Sequence, residues 1–295
     1  MKRLLIICAL FVMCGSAESV RAQQQDFSGV EIKAEKVAGN IYMLTGAGGN
    51  IGVSAGADGI LIVDDQFAPL AEKIRAALKQ LGAGGPLKFV LNTHWHGDHT
   101  GGNAQFGREA PIIAHDNVRR RLSTEQKVLG NTVPAAPNEA LPVITFNQSL
   151  SVHFNGEEIR VIHYPQGHTD GDSVIFFTRS NVVHMGDHFF AGKFPFVDID
   201  NGGNVIGLTK NVAEIIKKLP AGVKIIPGHG PLSAQRDLEL YHRMLVETTE
   251  IVRKQKQAGK TLEQIKAQGL PAVWKDWGTG FINTERWIEL IYRSL

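Results

Sequence analysis

The spacing of apolar positions changes character several times along the chain. Between residues 41 and 63 they fall in short β-rich runs, "NIYMLTG", "GNIGVSAG" and "GILIVDD", and "GADG" between the last two has hairpin-turn composition. Over about 69–82 the period becomes helical, with Leu70, Ile74, Ala77, Leu78 and Leu81 on one face and "GAGG" as the stop. Then come an apolar strand "KFVLNT", a polar stretch dense in histidine, and a strand "PIIAH". The Pro-containing polar segment 122–142 reads as a loop or flap rather than core. Strands resume from 143 as "VITF", "LSVHF", "EEIRVIHYP", "DSVIFFT" and "NVVHMGD". A helix is predicted over about 205–219, with Val205, Leu208, Val212, Ile215, Ile216 and Leu219 on one face, followed by a strand "VKIIPG". The remainder is helical: about 233–258, then a capping-box start at Thr261 running to Gly269, and a last helix near 284–294.

Two segments echo each other. "NIGVSAGADGILIVDDQF" and "DSVIFFTRSNVVHMGDHFF" are both hairpins whose second strand ends in an aspartate soon followed by an aromatic residue. Two β-rich halves, each followed by helix, predict an α/β fold of two packed sheets flanked by helices. No low-complexity linker or charge block interrupts the chain, so residues 23–295 read as one domain.

The N-terminal pattern changes the charge balance. Lys2 and Arg3, an apolar run from Leu4 to Met13, and Val20-Arg21-Ala22 have the grammar of a secretory signal peptide over 1–22. The apolar run is shorter than the roughly 20 residues a bilayer span needs, so no stable membrane insertion is expected after cleavage. A periplasmic or secreted protein follows. Cleavage would remove Lys2, Arg3, Arg21 and Glu18 and take the formal charge from +2 to about zero. That balance gives no reason to expect a nucleic acid or an anionic membrane as partner; a small-molecule substrate is the expectation. Cys8 and Cys14 leave with the leader. Any metal site in the mature chain must therefore use His, Asp and Glu.

Such residues are concentrated in "NTHWHGDHTGGN" at 92–103 and recur just beyond three later apolar strands. "RVIHYPQGH" ends at His168, "NVVHMGD" at Asp187 and "VKIIPGH" at His229, as "KFVLNTH" ends at His94. Strand carboxyl ends lying side by side would bring all four to one rim, where α/β folds place ligands. Seven ligands, His94, His96, Asp98, His99, His168, Asp187 and His229, are too many for one closed tetrahedral site and suit two metals. His94, His96 and His168 can hold the first, Asp98, His99 and His229 the second, and Asp187 can bridge. His94 and His96 lie two apart in an extended segment and so can face the same side, while Gly97 is expected to allow a turn that sends Asp98 and His99 to the neighbouring position. All-N/O ligation suits Zn²⁺ and also admits iron, manganese or nickel.

"THWHGDHTGGN", "GHTDGD", "MGD" and "PGHG", in this order across residues 93–230, resemble the metallo-β-lactamase fold superfamily of binuclear metallohydrolases. The resemblance implies an αβ/βα four-layer sandwich with two metals at one edge of the sheets, and the same division of the seven ligands. It also implies an enzyme, a metal-dependent hydrolase. A hydroxide held between two metals is a nucleophile at neutral pH, and the expected reaction is attack on the carbonyl of a small ester, lactone or lactam, β-lactams included. Asp98 would orient that hydroxide and accept a proton. The plain "MGD" aspartate also resembles thioesterases of the glyoxalase II type, and a mononuclear iron persulfide dioxygenase is a further alternative.

Thr93, Thr169 and Asp172 are candidates for fixing imidazole tautomers. Lys193 in "FFAGKFPF" could meet a substrate carboxylate, though a solvated lysine is the simpler reading. Asp64-Asp65 reads as a hydrogen-bonding pair at a strand end near the site. Arg119-Arg120-Arg121 reads as a solvated helix face. Phe189, Phe190, Phe194 and Phe196 suit either a cleft lining or core, and Trp274, Trp277 and Trp287 suit anchors of the last helix or a dimer contact. His115, His153, His163, His184 and His242 read as structural.

Overall fold

In the strand Gly59–Val63, alternate residues divide between two cores, Leu61 and Val63 on one side and Ile60 and Ile62 on the other, and this division sets the layering of the molecule. The computed structural model describes residues 26–82 and 85–295. The leader expected at 1–22 and both cysteines lie outside the described residues. The first sheet contains β1 (Lys33–Ala38), β2 (Ile41–Thr45), β3 (Ile51–Gly56), β4 (Gly59–Val63), β5 (Leu87–Leu91) and β6 (Ile112–His115). A separate hairpin of β7 (Gln126–Val128) and β8 (Asn131–Val133) follows, and β9 (Ile144–Phe146) returns to the first sheet beside β6. The second sheet runs, in spatial order, β10 (Ser149–Phe154), β11 (Glu157–His163), β12 (Ser173–Phe177), β13 (Val182–His184), β14 (Lys224–Ile226) and β15 (Ser233–Ala234).

The sheets pack face to face. Leu61, Val63, Leu91 and Ile113 of the first meet Ile159, Val161, Ile175 and Phe177 of the second. The opposite face of the first sheet, with Ile60, Ile62 and Val90, is covered by Leu70 and by Ile74 and Leu78 of α1 (Ala71–Gln80). Strands buried on both faces read as continuous apolar runs, which is why "GILIV" shows no alternation in sequence. Three short helices follow β5 and β6: α2 (Gly97–Thr100), α3 (Asn103–Phe106) and α4 (Asp116–Leu122). The outer face of the second sheet packs against α5 (Val205–Lys218), α6 (Gln235–Gln257) and α8 (Thr284–Ser294), with α7 (Leu262–Gln268) between them in sequence. The result is the expected αβ/βα sandwich with a helical C-terminal segment.

Helix ends follow their sequence signals. Thr261 and Gln264 form the predicted capping box of α7, and the Asn204 side chain accepts two backbone N–H groups at the start of α5. The two echoed segments are equivalent in topology. In each, an antiparallel hairpin (β3–β4, β12–β13) is followed by a parallel strand (β5, β14). Parallel pairing aligns carboxyl ends, so β4 and β5 end at one rim, as do β13 and β14. Two hydrogen bonds join the sheets there: Asn50 N–H donates to the Gly228 carbonyl (2.7 Å) and Ser173 N–H to that of Thr93 (2.8 Å).

The segment 122–142, expected as a loop or flap, carries the β7–β8 hairpin and a 3₁₀ turn at Asn138–Ala140. Two expectations are corrected. The arginines of α4 are not merely a solvated face. Arg121 donates to Asp170, Gln126 and Asn201, and Arg120 also pairs with Asp170, so this helix ties the hairpin base to the loop after His168. The helix expected from 233 begins at Gln235, because Ser233 and Ala234 pair with β14 as an edge strand. The tryptophans do anchor the C-terminus. Trp287 is fully buried, donates its indole N–H to Thr248 (3.0 Å) and stacks on Phe194.

Candidate metal centre

All seven candidate ligands converge on the rim, each delivered by the end of an element. The chain leaves β5, bends at Thr93–His94 and is extended again at His96 (φ −65°, ψ 147°), which brings His94 and His96 into one group, and α2 then lifts Asp98 and His99 beside them. Gly97 needs no left-handed backbone for this: it opens the helical turn, and a Cβ there would meet open space. Gly101 and Gly102 do allow close approach, since a Cβ on either would press on backbone of residues 65–67. His168 lies beyond β11, Asp187 beyond β13 and His229 beyond β14. Three overlapping groups have side-chain ligand atoms within 4.8 Å of one another: His94, His96 and His168; His94, His99 and Asp187; and Asp98, His99 and His229.

Asp187 spans the two halves. Its Oδ2 is 3.4 Å from His168 Nε2 and 3.8 Å from His94 Nε2, while its Oδ1 is 3.1 Å from His99 Nε2 and 3.4 Å from His229 Nε2. One oxygen thus faces each group of ligands. Asp98 Oδ2 lies 3.4 Å from His229 Nε2 and 3.8 Å from His99 Nε2, on the second side only.

The hydrogen bonds on the outer side of the rings indicate what the inner side can hold. His168 Nδ1 donates to the Phe196 carbonyl (2.7 Å), His99 Nδ1 to Asp64 (2.7 Å) and His96 Nε2 to Asp198 (2.9 Å). Thr93 Oγ1 donates to Asp64 (2.7 Å), so it accepts from His94 Nδ1 (3.0 Å). Each neutral ring carries one N–H, and here it points outward, leaving a bare lone pair aimed inward. His96 Nδ1 and His168 Nε2 face one another at 2.7 Å, and His99 Nε2 and His229 Nε2 at 3.3 Å. The inward lone pairs of His96 and His168, so close, repel unless a cation lies between them. His94 Nε2 and Asp187 Oδ1 are buried and make no hydrogen bond. The donor set therefore fits divalent metal ions bound through N and O, with the outer partners that such histidines require.

Electrostatics points the same way. Burial pushes His94 well below the usual imidazole range and His168 down to about 4, so both rings are neutral and able to ligate. Burial alone would raise Asp187, but His99 and His229 outweigh it and hold this carboxylate well below its ordinary value. Burial likewise opposes charge on His229, yet Asp187 and Asp98 lift it to about 9. The negative potential of the pocket calls for positive charge at these rings.

Asp64 is the hub of the support. It is fully buried and holds a left-handed backbone (φ 66°), a conformation Asp tolerates better than most residues. From there it accepts the Thr93 N–H (2.8 Å) as well as the Thr93 hydroxyl and His99. Its neighbour Asp65 is pushed well above the carboxylate range by burial and then by Asp64, and accepts the Gly102 N–H (2.8 Å). Two glycines leave room for ligands: a Cβ on Gly49 would collide with the His99 ring and one on Gly228 with Asp187.

Other expectations divide. Thr93 touches a ligand ring, but the Thr169 and Asp172 side chains bond to each other and close the loop after His168, and the only imidazole that Asp172 holds among the described residues is that of His163, through its carbonyl, not a candidate ligand. Asp198 was missed. It follows "FPFV" with no spacing cue and reaches His96 only because the chain folds back. Phe190, Phe194 and Phe196 line a cavity of about 890 Å³ above the cluster, whereas Phe189 packs on Tyr241 in the core. Lys193 is on the same wall, with its ammonium bonded to the Thr279 hydroxyl. His115 and His163 stack on one another away from the centre, and His184 donates to the Asn50 carbonyl (3.0 Å).

A family model described as the metallo-beta-lactamase superfamily matches residues 37–229. Among curated proteins, hydroxyacylglutathione hydrolase of Synechococcus sp. (strain JA-3-3Ab) is 32% identical over 123 residues, 42% of this chain and 42% of its own. The 2,4-dinitroanisole O-demethylase subunit alpha of Nocardioides sp. (strain JS1661) is 27% identical over 164 residues, 54% of this chain and 46% of its own. The match thus spans less than half the length of either relative. Among solved structures, a metallo-beta-lactamase from Pontibacter korlensis aligns with a TM-score of 0.60 at 16% identity, covering 73% of this chain and 99% of that one. DIM-1 metallo-beta-lactamase gives 0.60 at 20% identity, covering 74% and 99%. These structures share the fold. With the family model covering most of the chain and the His/Asp cluster at the sheet edge, the protein belongs to the metallo-beta-lactamase superfamily of metal-dependent hydrolases.

Proposed function

We propose that this protein is an exported hydrolase with two divalent ions, most simply Zn²⁺, that cleaves small carbonyl substrates: esters, lactones or lactams, with β-lactams among the candidates. The observation that carries this reading is Asp187, whose two oxygens face the two groups of inward-pointing ring nitrogens. Ions bound there would supply Lewis acidity and lower the pKa of water toward 7. The protein's part is positional. His94, His96 and His168 are fixed by Thr93, Asp198 and the Phe196 carbonyl, and His99 by Asp64. Asp98 has 31% of its side chain exposed, where it can hold or receive a proton from a substrate seated in the cavity. The leader pattern at 1–22 supports export, and the balanced mature charge supports a small-molecule partner over nucleic acid.

A second reading, thioester hydrolysis, is favoured by the resemblance to hydroxyacylglutathione hydrolase. The test is metal analysis of the purified mature protein, run together with nitrocefin, lactone and S-lactoylglutathione turnover on the same sample. Two ions per chain, with turnover lost to a chelator and restored by zinc, are expected, as is loss of turnover in His94→Ala and Asp98→Ala with the fold retained. Full activity in both variants refutes the assignment. Turnover of the thioester alone would select the second reading, and one iron with no hydrolysis would move the protein to redox chemistry.

A further inference from the structure

The cavity above the cluster has a polar floor and apolar walls. His96, Asp98, Asp187 and His229 form the floor. The β7–β8 hairpin contributes Val128, Leu129 and Val133 to the walls, and the segment before α8 contributes Phe281. Leu129 is 43% exposed and Phe281 75% exposed, unusual values for large apolar side chains that line a cavity. Phe281 meets Phe196 edge-on at 6.2 Å, and Phe196 in turn lies 5.7 Å from the rings of His96 and His168. The apolar surface is therefore continuous from the candidate ligands to the mouth. Arg121 and Lys193, the cations on the wall, are both turned to protein partners.

The hairpin tip holds a conformational conflict. Val128 pairs with Asn131, and the two residues between them, Leu129 and Gly130, have φ of 51° and 80°. Two positive φ values in a two-residue loop are type I′ geometry, which prefers Asn-Gly. Leucine is strained in that backbone, by about 1 kcal/mol or more. Turn stability cannot be the reason for Leu129. Contact with something apolar in the cavity can.

We infer that the site takes substrates with an extended apolar body, and that Leu129, Val133 and Phe281 hold this body above the candidate metal cluster as determinants of specificity. The inference rests on the proposed hydrolase only for where the scissile bond sits. A volume of about 890 Å³, open to the ligand residues, suits the body of a small molecule better than a flat protein contact.

The experiment titrates N-phenyl-1-naphthylamine, a neutral apolar fluorophore, into the mature protein, Leu129→Asn and Phe281→Ala. Saturable binding by the wild type is expected, weakened about three- to tenfold in each variant, the change for losing roughly half of a large side chain's burial. Leu129→Asn should keep or raise Tm, because it installs the preferred Asn-Gly turn. The same samples are assayed with p-nitrophenyl acetate and octanoate, and the octanoate-to-acetate ratio of kcat/KM should fall three- to tenfold in both variants. Equal probe affinity in all three proteins overturns the inference, as does a lower Tm for Leu129→Asn, which would make the leucine structural. Concentration-dependent dimerisation abolished by Leu129→Asn would also overturn it, by assigning the surface to a second copy. Absence of all esterase activity would count against the hydrolase alone, since probe binding does not depend on turnover.

Discussion

Asp64→Asn separates the support of the site from its ligands. Asparagine tolerates the left-handed backbone at this position, so the chain path is preserved. The amide oxygen can still accept the Thr93 N–H as Oδ1 does now. The amide NH₂ then stands where Oδ2 accepts from His99 Nδ1 and the Thr93 hydroxyl, and it can only donate. His99 must therefore shift its proton from Nδ1 to Nε2, which puts an N–H where the lone pair faced the candidate second ion. Loss of such an outer partner weakens metal affinity about 10–100-fold, or about 1.4–2.8 kcal/mol. The metal-free protein should lose about 1–3 kcal/mol as charge-assisted hydrogen bonds disappear. Chelator competition gives the affinities and urea denaturation the stability. Wild-type affinity for both ions in a folded Asp64→Asn protein would show that Asp64 does not set the His99 tautomer.

Three further outcomes are expected. Gly228→Ala places a Cβ against Asp187 and the Gly186 carbonyl, so turnover should fall at least about 100-fold while far-UV circular dichroism stays native; near-normal kcat/KM would mean that the rim is plastic. Trp287→Ala should cost about 3–5 kcal/mol in urea denaturation, because a fully buried indole and its bond to Thr248 are lost, and a cost under about 1 kcal/mol would place α8 outside the cooperative core. His163, pushed down to about 4 by burial and then by the stacked His115, is neutral in the folded protein and donates Nδ1–H to the Asp172 carbonyl. The unfolded chain binds its proton near pH 6.5, so this contribution is complete above that pH and is lost as pH falls toward 4, by at most about 3 kcal/mol. His163→Phe should flatten the fall in Tm over that window, and an unchanged slope would show that the ring does not titrate as described.

Most of the elements and most of the cluster are legible in the local pattern of the chain. Strands buried on both faces, such as "GILIV" and "SVIFF", and helices with one apolar face, such as α1 and α5, declare themselves because local periodicity records which side meets a core. Four apolar strands, each followed by a ligand residue, were enough to predict one rim for His94, His168, Asp187 and His229. Tertiary structure decided what local pattern does not encode. That Asp198, rather than Thr169 or Asp172, bonds a ligand ring depends on where the chain returns after Phe196. Which nitrogen of each histidine faces inward depends on partners such as Asp64 and the Phe196 carbonyl, 35 and 28 residues away in sequence. The apolar wall is of the same kind. Leu129 in a polar segment carries no periodicity, and only the placement of the β7–β8 hairpin beside the cluster gives it a cavity to face.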